Sequence, residues 1–468
     1  MKHVLHNSKL YLCLGTMMAT QDLKKVLLVS IAFPPDPAVG SLRPGSFAKY
    51  LPKYGWTPIT ITKKFNDIEN FDENQPNSLD IYGQCIRTYS FPHPMQWYRN
   101  LKRFFSGNRV ENRVKNNDSV NNAPDNCFRN LLRKGIKTFL YIPDEHWGWI
   151  LFAAIRGSRL VKKEKIKVIY SSGPPWSTHL AALIIQIVTG CRWIAEFRDP
   201  WARDPWRGLD TFSFFSKRID RFLEKAVVNR SSKILCVTDE LSKDFISRYG
   251  LDKKKISVVH NGYDSKEFDY SRQIDQKNSR LVLTHLGSLY GNRNPEPLFQ
   301  SIVDLLDEKK IPKNEILLRF VGEVGNKNKF IKFLKKHHYE NVVDFVSRVP
   351  RAEAFEIMMK SDVLIIIQND ASMQIPVKLY EYFATGTPVF CLAQEGAVKT
   401  FIENENAGVV VSPDDNQSIK KELFAYFQEW SSGRIKKNDV KRAIIFDREY
   451  LAGNFAHLLD EEWKIIDQ

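Results

Sequence analysis

IPVKLYEYFATGTPVF, residues 375–390, follows an apolar stretch that we predict to be a strand, at residues 363–367, and runs into a second predicted strand at residues 389–392. It begins as a loop and continues as a short helix that carries Lys378 and Glu381. Because residues three positions apart share one helix face, these two charges are expected side by side. A helix N-terminus that follows a strand attracts anionic ligands. The stretch therefore predicts either a nucleotide-sugar site, with ribose on the carboxylate and phosphates on the ammonium, or an amphipathic helix with a surface ion pair.

Strands and helices alternate along the rest of the chain. Residues 24–31 (KKVLLVSI) and 280–286 (RLVLTHL) both read as buried strands followed by a loop and an amphipathic helix. Further strands are predicted at residues 58–62, 168–171, 193–197, 233–237, 256–259, 317–321, 342–346, 363–367, 389–392 and 408–411. This alternation is typical of parallel α/β sheets. A chain of 468 residues is too long for one core, so we expect two large domains.

The predicted organisation has five parts. Lys2 and Lys9 precede an apolar run at residues 10–19, but Gly15 and Thr16 interrupt it, so we favour a disordered extension or an early start codon over a signal peptide. The parts are a disordered extension at 1–23, a first domain at 24–263, a linker at 264–279, a second domain at 280–446 and a C-terminal helix at 447–468.

Composition limits the function classes. The net charge of +15 and the pI near 9.3 indicate an anionic partner. The six cysteines are scattered without a CxxC pair or ligand-spaced histidines, which favours a reducing compartment and argues against a zinc site. No apolar run approaches the roughly 20 residues needed to span a bilayer. We therefore expect a cytoplasmic protein, with peripheral attachment to the inner face of the plasma membrane left open.

Residues 99–137 break the pattern, because they carry ten Lys/Arg against three acidic residues. Trp97, Tyr98, Phe104 and Phe105 stand at one end of this basic segment. Aromatic and basic residues together suit an anionic membrane surface, where rings insert and cations pair with headgroups. A solvated basic insertion with a few core aromatics is the alternative interpretation.

The loop after the first strand offers two candidate ligand-binding residues. Gly40 allows a ligand to approach the backbone closely, and Arg43 can pair with an anion. The loop is not GxGxxG, and Thr62, Lys63 and Lys64 stand where a dinucleotide site needs an acid. The sequence therefore argues against a dinucleotide-dependent dehydrogenase.

Two other strand ends of the first half carry polar candidates. His179 lies in the first turn of a helix after SSGPPWST, where it either faces the cleft or is a capping or core histidine. Arg198 and Asp199 close the next strand, and Asp199 is placed to orient an acceptor hydroxyl or accept its proton. A structural pair that fixes the following loop is the alternative.

The second half supplies two further cations. Arg293 follows the Gly287-Ser288 loop, and Lys327 follows the GEVG turn at residues 322–325. Both are expected at strand ends on the sheet edge that holds Lys378 and Glu381. Separately each is an ordinary surface charge, whereas together they suit a diphosphate pocket.

The chain resembles GT-B glycosyltransferases of the retaining family 4 group, close to enzymes that build bacterial surface polysaccharides. The resemblance extends from about Lys24 to Trp463. It is carried, in order, by FPPDPAVGSLRPGSFAKYLPKYGW, IYSSGPPWSTHLAAL, AEFRDPW, VVHNGYD, LRFVGEVG and PVKLYEYFATGTPV. It implies an α/β GT-B fold in which two Rossmann-like domains face each other across a cleft and a C-terminal helix returns to the N-terminal domain.

The resemblance also implies site residues. Glu381 matches the glutamate expected to bind the donor ribose, while Met373 stands where the family has another motif glutamate. Ser288 and Asn294 occupy the places of a usual arginine and lysine, and Arg293 is the replacement candidate. The implied donor-binding set is Gly40, Arg43, Arg293, Lys327, Lys378, Leu379 and Glu381. The implied acceptor side is His179 and Asp199, and the expected catalytic residues are Asp199, Arg198 and Lys378.

The implied reaction is a front-face retaining transfer with no metal ion and no cofactor besides the nucleotide sugar. Expected partners are that donor, a glycan or lipid-linked acceptor and an anionic membrane surface, without nucleic acid. Two alternatives stay open at this point. One is a nucleotide-sugar 2-epimerase of the same fold, and the other is a non-catalytic protein that binds anions at a membrane surface.

Overall fold

The computed structural model describes residues 24–64, 79–92, 141–203, 214–268, 278–289, 291 and 293–465. The predicted extension at 1–23 and the basic segment at 99–137 lie outside these residues. So do residues 269–277 of the predicted linker.

The first domain contains a parallel sheet of seven strands within the described residues, in the order β3-β2-β1-β4-β5-β6-β7. The strands are β1 (Lys24–Val29), β2 (Trp56–Lys63), β3 (Gln84–Thr88), β4 (Val168–Gly173), β5 (Arg192–Phe197), β6 (Lys233–Cys236) and β7 (Ile256–Val258). The helices are α1 (Val39–Tyr50), α2 (Ile150–Lys163), α3 (Ser177–Thr189), α4 (Phe214–Arg230) and α5 (Asp239–Tyr249).

The second domain repeats the plan with six parallel strands in its described part, in the order β10-β9-β8-β11-β12-β13. The strands are β8 (Leu281–Leu286), β9 (Ile316–Val321), β10 (Val343–Val346), β11 (Val363–Gln368), β12 (Val389–Ala393) and β13 (Gly408–Val411). The helices are α6 (Glu296–Asp307), α7 (Lys327–Lys336), α8 (Arg351–Lys360), α9 (Val377–Thr385), α10 (Ala397–Glu405), α11 (Asn416–Ser431) and α12 (Arg448–Lys464).

The central strands are apolar because helices cover both faces of each sheet. Val26 and Leu28 face one side of the first sheet, and Leu27 and Val29 face the other, all without exposed surface. In both sheets the order reverses beside the first strand, at β1/β4 and at β8/β11. Ligands of open α/β sheets bind at the carboxyl ends of strands near such a reversal. This topology confirms the predicted two-domain α/β GT-B fold.

The predicted strands are confirmed, with boundaries shifted by one or two residues. Strand β3 was not predicted. It pairs with β2 at the outer edge of the sheet, and only Thr88 among its five residues is buried. An edge strand needs little apolar character on its outer side, so its sequence lacks the usual signal.

The C-terminal helix α12 returns to the first domain, as predicted. The ring of Phe455 stacks on Phe47 at 4.4 Å and lies 4.8 Å from the ring of Tyr170. An ion pair at 2.7 Å joins Arg192 Nε to Glu462 Oε2. The segment that ends the second domain is therefore part of the core of the first.

Backbone and side-chain hydrogen bonds tie the crossing segments together. Tyr263 donates its backbone N–H to the carbonyl of Phe446 at 3.1 Å, and Arg448 donates to the carbonyl of Tyr263 at 2.8 Å. The Asp264 carboxylate accepts from the hydroxyl of Tyr50 at 2.9 Å. The chain thus crosses twice between the domains at one place.

Among the helices that the structure describes, none combines the length and the apolar character needed to cross a bilayer.

Removing the ring that anchors α12 should weaken the first domain. We expect Phe455→Ala to lower the free energy of unfolding by about 3–5 kcal/mol, because the fully buried ring leaves a cavity among Phe47 and Tyr170. Urea unfolding followed by tryptophan fluorescence measures the loss. Tyr450→Ala on the same helix removes a ring that is 47% exposed and serves as the control. Equal effects of the two substitutions would contradict the docking of α12.

Candidate functional site

Lys378 lies in the first turn of α9, where its ammonium group reaches the end of β8. Its Nζ donates to the backbone carbonyl of Leu286 at 3.0 Å and lies 3.1 Å from His285 Nε2. His285 Nδ1 is 3.0 Å from the carbonyl of Ile365 on β11. A carbonyl can only accept, so Nδ1 carries the proton and Nε2 accepts from the lysine. The side chain of Lys378 is therefore held at the reversal point of the second sheet.

The electrostatics of this contact favour a bound anion. Burial, reinforced by the positive charge of Arg293, lowers the pKa of Lys378 to about 7. Burial and the neighbouring Lys378 hold the pKa of His285 well below its usual range, so the imidazole is neutral. An anion beside Lys378 would raise the lysine pKa again and favour the ammonium form.

Gly287 leaves open space beside the Lys378 ammonium. Its φ of +104° belongs to the left-handed region, and a Cβ atom at this position would lie 3.6 Å from Lys378 Nζ. Gly322 follows β9 with φ +121°, and a Cβ atom there would lie 3.0 Å from the carbonyl carbon of Gly287. The two glycines let the backbone turn away and leave room for a ligand next to the cation.

Glu381 lies one turn further along α9 and is held in a fixed orientation. The residue is 6% exposed, and its Oε1 accepts from Arg351 Nη2 at 2.7 Å. The same guanidinium pairs with Glu267, where the chain crosses between the domains, at 2.6 Å. Within the described residues, Oε2 of Glu381 accepts no hydrogen bond. One carboxylate oxygen is thus positioned by Arg351 and the other remains able to accept from a hydroxyl.

The structure corrects the expectation for Leu379. Its side chain is fully buried in the core of the second domain, and its backbone N–H donates to the carbonyl of Pro376 at 2.9 Å. Because side chain and amide are both engaged, Leu379 packs the helix rather than offering a group to a ligand.

Of the two other cations expected here, Arg293 acts electrostatically on Lys378, and Lys327 contacts the edge strand of the sheet. Its charge contributes to the low pKa of that lysine. Lys327 is exposed at the start of α7, with Nζ 5.0 Å from the centre of the Phe345 ring on the edge strand β10. This contact holds Lys327 over the edge strand β10, which β9 separates from β8, and the grouping of Lys327 with Lys378 stays a prediction.

Arg43 is also reassigned. Its Nε pairs with Oε1 of Glu196, a residue without exposed surface, at 2.6 Å. Its two terminal nitrogens donate to the backbone carbonyls of His260 and, at 2.7 Å, of Val259. All three guanidinium nitrogens therefore donate to groups of the first domain. Arg43 thus neutralises a buried carboxylate instead of presenting a charge to a ligand.

Gly40 provides space for a protein side chain rather than for a ligand. Arg198 Nη1 donates to the carbonyl of Gly40 at 2.6 Å, and Nη2 donates to the carbonyl of Pro174. A Cβ atom at Gly40 would lie 2.9 Å from Arg198 Nη1. Arg198 therefore joins two loops at the carboxyl edge of the first sheet.

His179 is a core histidine. It has no exposed surface, its Nδ1 lies 2.8 Å from the Ser171 hydroxyl, and its ring lies 4.7 Å from that of Phe197. Burial, with a smaller contribution from Arg198, lowers the pKa of His179 to about 3. A neutral and enclosed imidazole cannot touch an acceptor, so its expected place on the acceptor side is corrected.

Asp199 meets the second domain. Its Oδ1 accepts from Gln374 Nε2, and burial raises the pKa of its carboxyl group. Nearby, the hydroxyl of Thr238 donates to the carbonyl of Met373 at 2.7 Å, and the Met373 side chain packs on the core of the first domain. The loop between β11 and α9 therefore spans the cleft, from Asp199 on one side to Lys378 on the other.

Sequence reasoning missed four residues of this arrangement. They are His285, Arg351, Gln374 and Thr238. A polar histidine inside the apolar run RLVLTHL was a usable signal, because a buried imidazole needs partners. The other three residues look like ordinary surface residues in the sequence.

Among the residues that the structure describes, no group of three His, Cys, Asp or Glu side chains is arranged to hold a metal ion.

Comparisons with known proteins match both halves of the chain. The profile described as Glycosyltransferase Family 4 matches residues 120–267, and the one described as Glycosyl transferases group 1 matches residues 267–442. A relative from Escherichia coli, UDP-Gal:alpha-D-GlcNAc-diphosphoundecaprenol alpha-1,3-galactosyltransferase, is 23% identical over 56% of this chain and 66% of its own length. Mannosylfructose-phosphate synthase from Agrobacterium fabrum is 21% identical over 85% of this chain and 80% of its own.

The chain spans only part of the first curated relatives, from 66% of the length of one to 45% of another. Among solved structures, sucrose-phosphate synthase from Thermosynechococcus elongatus superposes with a TM-score of 0.61 at 12% identity. That superposition covers 94% of this chain and all of the other, which shows that the fold is shared.

Replacing Arg43 should cost stability rather than ligand affinity alone. We expect Arg43→Met to lower the free energy of unfolding by about 3–5 kcal/mol, because the Glu196 carboxylate would stay buried without its cation. Urea unfolding measures this, and Arg43→Met/Glu196→Gln should recover part of the loss. Arg203→Met removes an exposed partner of Asp244 and serves as the control. Full stability of Arg43→Met would return Arg43 to the candidate ligand-binding residues.

Lys378 should make stability depend on pH. Its pKa is about 7 in the folded protein and near 10.5 when exposed, so between these values the unfolded chain binds the extra proton. The free energy of unfolding therefore rises with pH over that window. In Lys378→Met this rise should disappear, so the free energy of unfolding of the variant should fall increasingly below that of the wild type from pH 6 to 9.5. Lys327→Met, at an exposed lysine, should follow the wild type. Parallel curves for Lys378→Met would refute the buried amine.

Proposed function

Because the chain belongs to the GT-B glycosyltransferases of the family 4 type, we propose that it transfers a sugar from a nucleotide sugar to an acceptor hydroxyl. The acceptor in this proposal is a glycan or a lipid-linked sugar of cell-surface polysaccharide synthesis. The observation that carries the proposal is the placement of Lys378 and Glu381 one turn apart on α9, at the reversal point of the second sheet.

The phosphates of the donor lie beside Lys378 in this proposal. The Gly287 and Gly322 turns leave room there, and the N-terminus of α9 is capped by Pro376 without a side-chain hydrogen bond. Backbone amides and a buried amine that gains its proton with the anion both favour a diphosphate. The free Oε2 of Glu381 accepts from a ribose hydroxyl, while Arg351 keeps the carboxylate in place.

The proposed chemistry retains the configuration of the sugar. The acceptor oxygen forms a bond to the anomeric carbon on the face from which the diphosphate leaves with its electron pair. The acceptor proton passes to an oxygen of the departing diphosphate. Negative charge grows on that diphosphate, and Lys378 with Arg293 stabilises it most strongly where water is excluded. These cations take the part that a metal ion plays in other transferases.

Asp199 is the proposed acceptor-side residue. Its contact with Gln374 places a carboxyl group of the first domain against the loop that leads to Lys378. When an acceptor hydroxyl displaces the Gln374 amide from Asp199, the Asp199 carboxyl group would orient that hydroxyl. Opening and closing of the cleft would accompany each turnover.

A lipid-linked acceptor agrees with one relative and with the charge of the chain. The name of the Escherichia coli relative specifies a diphosphoundecaprenol-linked acceptor. The net charge of +15 favours contact with an anionic surface. We propose that the protein works in the cytoplasm, at the inner face of the plasma membrane.

The nucleotide site can be tested by direct binding. A thermal-shift panel of nucleoside diphosphates identifies the base, and calorimetry then gives the affinity. We expect Glu381→Gln to weaken binding at least about tenfold, because a hydrogen bond to a charged group contributes roughly 1.5–3 kcal/mol. Glu403→Gln changes an exposed glutamate of α10 and should bind normally.

Turnover is tested with the matching nucleotide sugar. Nucleoside diphosphate should be released only when an acceptor is present, and the product should keep the anomeric configuration of the donor. If no nucleoside diphosphate binds, or if Glu381→Gln binds as tightly as the wild type, the proposed function is wrong.

A further inference from the structure

Helix α2 presents a stripe of side chains to solvent that changes from apolar to basic along its length. Leu151 and Ile155, in the first half, are 63% and 53% exposed. Arg159 and Lys162 continue the same stripe, at intervals of four and three residues, and both are exposed. Leaving two large aliphatic side chains this exposed is unfavourable on a surface that contacts only water.

Aromatic residues extend the apolar half. Phe91 is 56% exposed and Tyr89 is 47% exposed, and both rings pack edge-on against Phe152 of α2, at 5.1 and 5.3 Å. The backbone N–H of Phe91 donates to the carbonyl of Gly148 just before the helix, at 3.2 Å. These contacts hold the exposed rings against the residue that follows Leu151, so aromatic and aliphatic groups are exposed at the same end of α2.

The basic half has no counter-charge of its own. Arg156, Arg159 and Lys162 form no ion pair with any described residue, and no exposed residue of α2 is acidic. Glu164, which follows the helix, is engaged by Lys25 at 2.9 Å. Glu145, which precedes the helix, is an exposed acid at the apolar end. The charge of this surface therefore calls for an anionic partner.

We propose that this surface, which we call the α2 face (Tyr89, Phe91, Leu151, Ile155, Arg156, Arg159 and Lys162), docks on an anionic lipid bilayer. The apolar rings and aliphatic groups enter the headgroup boundary, and the cations pair with lipid phosphates. A flat, anionic partner with an apolar boundary fits a convex helix surface that is apolar at one end and basic at the other. The inference rests on the proposed function for its purpose, namely to bring a lipid-linked acceptor to the cleft.

The position of the α2 face suits that purpose. Leu151 stands at the start of α2, and helices of this sheet run against their strands, so the apolar half lies at the carboxyl edge. That edge also holds Arg198 and Asp199. A molecule anchored in the bilayer beside Leu151 would therefore have its headgroup near the cleft.

The test is flotation of the full chain with vesicles of phosphatidylcholine, with and without phosphatidylglycerol. We expect binding to the mixed vesicles and little to pure phosphatidylcholine. Arg156→Glu/Arg159→Glu/Lys162→Glu should reduce the partition coefficient more than tenfold, since each basic residue near such a surface contributes about 1 kcal/mol. Lys253→Glu/Lys254→Glu, on exposed lysines of the same domain, should retain most of the binding.

The apolar half needs a separate variant. Leu151→Ser/Ile155→Ser should weaken binding severalfold, whereas Ile444→Ser/Ile445→Ser, on exposed isoleucines of the second domain, should not. Residues 99–137 are present in every variant. If both α2 variants bind the vesicles as tightly as the wild type, the inference is overturned. A dimer that dissociates when Leu151 and Ile155 are replaced also overturns it, because the patch would then cover a second copy.

Nucleoside diphosphate affinity separates this inference from the proposed function. Every α2 variant should bind the nucleotide as the wild type does, because none of the changed residues lies near Lys378. Loss of vesicle binding with normal nucleotide binding supports the α2 face. If the wild type binds no nucleoside diphosphate but the α2 variants still lose vesicle binding, the proposed function is wrong and the α2 face remains supported as the docking surface.

Discussion

The carboxylate of Glu196, which lies without exposed surface at the carboxyl edge of the first sheet, constrains the whole cleft wall. A buried charge must be paired, and its partners come from separate parts of the chain. Arg43 reaches it from α1 at 2.6 Å, while Tyr170 and Ser172 donate from β4. Arg43 also binds the carbonyls after β7, so one ion pair fixes several loops at once. The neighbouring Arg198 then joins the loops of Gly40 and Pro174, which leaves Asp199 facing the other domain.

The opposite wall depends on a different kind of buried cation. Among the described residues, no carboxylate pairs with Lys378 Nζ, which is held by a carbonyl and a neutral imidazole. Its positive charge is therefore weakly compensated, which is the condition for responding to an anion. The two walls therefore differ: the paired Arg43 holds loops of the first domain together, whereas Lys378 supplies the cation of the proposed binding site. The loop from Met373 to Lys378 connects them, because its first residues contact the first domain and its last one carries the amine.

The strands could be predicted because buried parallel strands are apolar along their whole length. Among the strands that the structure describes, the half-exposed edge strand β3 was the one not predicted. The cations were harder to assign. Arg43, Lys327 and Lys378 all follow strands of parallel sheets, yet one pairs with Glu196, one lies over Phe345 and one faces the reversal point. His179 and His285 had similar positions in the sequence, since one follows a strand and the other lies at the end of a strand. The first is enclosed by aromatic rings and the second orients the lysine.

The sequence by itself determined the two-domain α/β architecture, the order of its elements and the placement of Lys378 and Glu381 on one helix face. It could do so because the spacing of apolar and charged residues is a local property that follows the helix and strand periods. Only the tertiary structure decided which charged groups were already neutralised. The partners of Arg43, Glu381 and Asp199 are 153, 30 and 175 residues away, and no local period records such contacts. The same holds for the α2 face, since its apolar side chains resemble core residues until the packing leaves them in solvent.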